Sequence, residues 1–111
     1  MDIRFYTSQS GVEYVSEFIK EKISDVKAKN KILRRLELLE KYDLLNAIRS
    51  RLIKKLHGYD LYEIVIDHNR VFYRILCSIG RNTCWLLHMF KKKSNNTPAE
   101  DIETALNRST N

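Results

Sequence analysis

The chain opens on a short alternation. Ile3 and Phe5 stand against Arg4 and Tyr6, a period of two that predicts a first strand, and Gly11 breaks it. The period then lengthens. Val12, Val15, Phe18, Ile19 and Ile23 recur at helical spacing, and Val26, Ile32, Leu36, Leu39 and Leu44 continue on a second stripe behind Asp25, a capping residue. Two amphipathic helices, paired as an antiparallel hairpin, are predicted over roughly 12–45, with Lys27, Lys29, Lys31, Arg34 and Arg35 on the solvent side. A basic segment follows, with a candidate edge strand at 52–57 and a turn at Gly58.

From Leu61 the period returns to two. The runs "LYEIVID", "RVFYRILCSI" and "TCWLLHMF" read as strands separated by turn signals at His68-Asn69 and Gly80-Arg81-Asn82. If Gly80-Arg81 forms the two-residue turn, Cys77 and Cys84 face each other as packing thiols. Thr97, Pro98 and Glu100 match an N-cap, a first-turn proline and a capping box, and they predict a last helix with Ile102 and Leu106 facing inward. The expected class is α+β, in the order β-α-α-β-β-β(-α). An antiparallel sheet packs against the N-terminal helical hairpin plus the C-terminal helix, all on one side, in a single domain spanning 1–111.

Composition agrees with a globular domain: 43% of residues are hydrophobic and 31% charged. The net charge of +6 changes the picture, because a small basic domain suits an anionic partner, nucleic acid before a membrane surface. No apolar run approaches the ~20 residues of a membrane span, and the start of the chain lacks a signal-peptide core. A cytoplasmic protein with free thiols is expected, without membrane partners. Two cysteines with no matching Cys/His cluster do not make a zinc site, so neither metal nor cofactor is expected.

Three stretches resemble one family. "KKLHGYDLYEIVID", "RVFYRILC" and "LLHMFKKKSNNTPAEDIETALNR" together resemble the RelE/HigB superfamily of bacterial toxins, closest to its phage-derived, HigB-like branch. The tail is the most specific part, since Phe90, Lys92-Lys93, Thr97-Pro98 and Ala105-x-x-Arg108 occur together. The resemblance implies a RelE-like fold and the toxin of a type II toxin–antitoxin system. Such a toxin is an endoribonuclease (mRNA interferase) that cleaves mRNA on the translating ribosome. It implies a HigA-like helix-turn-helix antitoxin as partner, with operator DNA reached only through the toxin–antitoxin complex.

RNA cleavage without a metal needs a proton removed from the ribose 2′-hydroxyl, charge stabilised at phosphorus, and a proton or cation for the departing 5′-oxygen. Arg74 is the first choice for the phosphate, since its fork matches two oxygens from a fixed mid-strand position, and the resemblance puts the family's phosphate-binding arginine there. Glu63 can pair across to Arg74 or to Arg70, orienting a guanidinium or accepting a proton. Alternation puts Lys91 and Lys93 on one face and Lys92 on the other. The resemblance selects Lys92 and Lys93 for catalysis and leaves Lys91 as a substrate contact. Lys54, Lys55, His57 and Arg70 complete the expected substrate-binding set. His88 is expected as a core-edge histidine with its polar tip bonded. The alternative reading is a basic module that binds RNA, the ribosome or an antitoxin without catalysis.

Overall fold

The computed structural model of the chain describes residues 1–110. Strand β1 is Asp2–Phe5. The helical region follows as α1 (Tyr14–Glu17), running into a π-helical turn at Phe18–Lys22, then α2 (Val26–Leu39) and α3 (Leu44–Arg49). Strands β2 (Lys54–Lys55), β3 (Tyr62–His68), β4 (Val71–Gly80) and β5 (Thr83–Lys92) form a meander, and α4 (Ala99–Ser109) closes the chain. The class is α+β, as the periodicity predicts.

The sheet order is β1-β5-β4-β3-β2, and β1 runs parallel to β5. The sheet is therefore mixed, where the alternation alone suggested an antiparallel one. The four meander strands consume the local connections, so β1 reaches the free side of β5 only through the helical crossover. The helices also divide between the two faces. The α1–α3 side packs Val15, Ile19, Ile32, Leu36 and Leu39 on Ile64, Ile66 and Ile75. The other face holds Leu61, Leu76, Leu87 and Phe90 under Ile102 and Ala105 of α4. Period-two patterns on both faces of β3–β5 allow this, because each face has its own apolar set.

Local chemistry sets the boundaries. Asp25 caps α2, accepting from the backbone N–H groups of Lys27 at 2.9 Å and Ala28 at 3.2 Å. Those bonds hold its carboxyl below the usual range, with His68 beside it adding in the same direction. Val26, expected in the core stripe, is 66% exposed because the buried face of α2 runs through Ala28, Ile32, Leu36 and Leu39 instead. Arg35 does not lie on the solvent side. Its Nη1 donates to the carbonyls of Leu52 at 3.3 Å and Val65 at 3.1 Å, and Lys31 Nζ donates to that of Asp67. Strand β2 is too short to pair the whole of β3, and these two side chains cover the edge it leaves open.

Both hairpin turns differ by one residue from the sequence reading. Asn69 and Arg70 form the first and Arg81 and Asn82 the second, all four with positive φ, as two-residue turns between twisted strands require. Gly80 thus pairs with Thr83, and Cys77 lies opposite Leu86 rather than Cys84. Both cysteines are buried free thiols, and burial pushes the Cys77 thiol well up. A bulge near Leu76 and Cys77 lets both Leu87 and His88 turn toward α4.

Arg70 is an L-residue held at φ 64. Arg70→Gly creates the favoured Asn-Gly pair for this turn and is expected to raise unfolding free energy by about 1 kcal/mol, measured by urea titration.

Candidate active site

The face of the sheet that carries α4 also carries charge. Glu63, second residue of β3, lies opposite Leu76, and Arg74 in mid-β4 lies opposite Val65, so the two are diagonal neighbours on one face. Each is 1% exposed. Arg74 Nη1 donates to Glu63 Oε1 at 2.9 Å. Of the two partners open to Glu63, the structure selects Arg74; Arg70 is exposed in the β3–β4 turn.

The pair is held from three more directions. Lys54 faces Glu63 across the β2–β3 ladder and brings Nζ to 3.3 Å from Oε1. Thr97 donates its hydroxyl to Glu63 Oε2 at 2.6 Å. Arg74 Nη2 donates to Asn95 Oδ1, and Phe72 sits 5.5 Å from the guanidinium carbon. Thr97 therefore does not cap α4. That helix starts at Ala99 with Pro98 in the cap position and no side-chain cap. The buried carboxylate outcompetes the helix end for the threonine hydroxyl, because a charged acceptor makes the stronger hydrogen bond.

This arrangement is poorly explained by stability. At 2.9 Å and an effective dielectric near 20, the attraction is about 6 kcal/mol, and removing each ion from water costs several kcal/mol. The two nearly cancel, whereas an apolar pair of equal volume would carry no desolvation cost.

The remaining expected residues divide by position. Register places Lys92 beside Phe72, on the face of Arg74, and it is half-buried. Lys91 pairs with Tyr73 and points to the other face, where Nζ donates to the carbonyl of Lys22 at 3.3 Å. Lys93 lies past the end of β5, and the three lysines line a groove of about 290 Å³ with Val71 and Tyr73. Lys55 also takes the far face, donating to the carbonyl of Tyr59 with Tyr62 5.9 Å away. His57 is exposed in the turn after β2 and makes none of the cluster's hydrogen bonds. The structure thus gathers Glu63, Arg74, Lys54 and Lys92 on one face, turns Lys55 and Lys91 to the other, and leaves His57, Arg70 and Lys93 outside the strands. An open cleft of about 270 Å³ adjoins the cluster, lined by Ile48, Leu52, Val65, Arg51, Lys54 and Glu63 among others.

Two site residues escaped the sequence reading. Thr97 gave a cap signal that its hydroxyl does not follow. Asn95 belongs to a polar turn whose composition marks only a loop. A second polar cluster ties α4 to β5. His88 Nε2 lies 2.7 Å from Asp101 Oδ1, and Arg108 Nη1 donates to the Leu87 carbonyl at 2.9 Å with its guanidinium 3.7 Å from the ring centre of Tyr14. His88 is the bonded core-edge histidine that its apolar neighbours suggested. No group of three or more His, Cys, Asp or Glu side chains among the described residues is placed to hold a metal, and none of the described helices is long and apolar enough to cross a membrane.

Arg74→Ala leaves Glu63 buried without its closest cation. It is expected to cost about 3–5 kcal/mol of stability by chemical denaturation. Arg74→Lys, which keeps the charge and loses the fork, is expected to cost less than half as much.

No curated protein matches this chain. The family model described as phage-derived protein Gp49-like (DUF891) matches residues 22–110, a span that includes every residue of the Glu63–Arg74 cluster and its supports. The chain belongs to that Gp49-like family, which is related to the toxins of toxin–antitoxin systems.

Proposed function

We propose that this protein is the toxin of a type II toxin–antitoxin system and acts as a metal-independent endoribonuclease of the RelE/HigB kind. Its substrate is mRNA, cut on the translating ribosome in the cytoplasm. A HigA-like helix-turn-helix antitoxin neutralises it, and operator DNA is reached only through that complex. The observation that carries the reading is the buried Glu63–Arg74 pair with Lys54 beside it and Lys92 on the same face. Family membership and the net charge of +6 support the same direction.

The chemistry assigned to these groups is an in-line transfer. The ribose 2′-hydroxyl gives its proton to solvent water, and its oxygen bonds to the adjacent phosphorus as the bond to the 5′-oxygen breaks, leaving a cyclic phosphate and, once the departing oxygen is protonated, a 5′-hydroxyl. Arg74 stabilises the added charge on the phosphoryl oxygens, and Glu63 fixes the plane of its guanidinium. Lys92 supplies the proton, or the positive charge, for the departing oxygen. Lys54 lies at the mouth of the adjoining cleft and meets the incoming backbone as a cation.

One observation favours the alternative, a non-catalytic binding module. Arg74 is 1% exposed and two of its nitrogens already have partners, which is how a purely structural ion pair would look.

Position separates the lysines. Lys92→Ala is expected to reduce cleavage of a translated message by about 10²-fold, read by primer extension after induction in a bacterial culture. Lys93→Ala is expected to change it by less than about threefold, as a solvent-exposed phosphate contact would. Equal, small effects of both would favour the binding module.

A further inference from the structure

Arg74 carries three nitrogen donors, and they are not equally served. Nη1 is given to Glu63 and Nη2 to Asn95. Nε is buried and has no hydrogen-bond partner among the described residues. In a guanidinium, the Nε–H and one N–H of Nη2 point the same way along one edge, spaced for two oxygens of a single oxyanion. Of the two nitrogens on that edge, Nη2 has one neutral amide oxygen as partner and Nε has none.

Charge points the same way. Arg74, Lys54 and Lys92 share a face with one carboxylate, Glu63. Low dielectric makes such an imbalance costly and an added anion favourable. The two acceptors on Arg74 also differ in how they are held. Glu63 sits within β3 and is bound by Lys54 and Thr97 as well. Asn95 is exposed, in the irregular turn that joins β5 to α4.

We propose that Asn95 Oδ1 occupies an anion subsite in a closed state of the site. A phosphodiester displaces the Asn95 side chain while Thr97 stays on Glu63, and two of its non-bridging oxygens accept from Arg74 Nη2 and Nε. The Glu63–Arg74 bond stays intact through the exchange. The choice of a phosphodiester rests on the ribonuclease reading, whereas the anion subsite itself does not. The Asn95 side chain thereby acts as a cover that shields Arg74 until the substrate backbone arrives.

The test is NMR of ¹⁵N-labelled protein. The Arg74 Nε–H signal is identified by its loss in Arg74→Lys. Two probes are titrated: inorganic phosphate, and a short single-stranded DNA, which has the phosphodiester and lacks the reactive 2′-hydroxyl. The Nε signal is expected to shift with the DNA. Asn95→Ala, in an exposed turn, is expected to keep the backbone amide spectrum and tighten DNA binding by about 5–10-fold, since the competing oxygen is gone. An unmoved Nε signal overturns the proposal. So does weaker binding in Asn95→Ala, which would make Asn95 a residue that positions Arg74. A response to phosphate without one to DNA overturns the phosphodiester assignment. A chain that shows the tightening but cleaves no message keeps the subsite and loses the nuclease.

Discussion

Glu63 and Arg74 meet where almost no water reaches them, and much of the fold is arranged to keep them satisfied. The pair needs two strands in fixed register, since a slip of one residue would send one partner to the opposite face. It needs Lys54 on the next strand, although β2 is only two residues long. It also draws Thr97 away from the helix end that the sequence assigns to it, and α4 starts without a side-chain cap as a result. A structure that gives up a helix cap to hydrogen-bond a buried carboxylate has a local conflict there, and such conflicts concentrate at functional sites.

The rest of the molecule supplies rigidity. The larger core, under α1–α3, packs most of one face and limits movement of the strands toward it. The smaller core under α4 leaves part of its face uncovered, and the charged cluster and its cleft occupy that part. The bulge in β5 adds a further anchor, turning His88 to Asp101 so that α4 is tied down at a point away from the cluster. The irregular turn between β5 and α4 is thereby held at both ends, with Asn95 and Thr97 between them.

The sequence carried the strands, the helical stripes and the Asp25 cap because each depends on neighbours within a few residues. The mixed sheet was not legible. No local pattern states that β1 joins the far edge, a result of how the crossover packs. The division of helices between two faces was written in the apolar residues on both sides of β4, yet period two alone does not say which helix covers which side. Arg74 was readable as one of two partners for Glu63, with Arg70 the other, because they sit on adjacent predicted strands; the structure selects Arg74. The lysine run was readable as the end of the last strand, but placing Lys92 on the face of Arg74 and Lys91 on the other required the register of β5 against β4. Asn95 gave no signal, since its role comes from a turn folding back over a strand 21 residues earlier in the chain.

A buried pair kept for chemistry is dispensable for folding. The most direct measurement replaces both members at once with apolar residues of similar size, Glu63→Leu with Arg74→Met, and follows thermal unfolding alongside cleavage of a translated message. Removing both charges leaves no buried ion unpaired, since Lys54 is exposed, so a melting temperature equal to or above that of the native chain is expected, with loss of cleavage. A doubly substituted chain that still cleaves, or one that fails to fold, would contradict it.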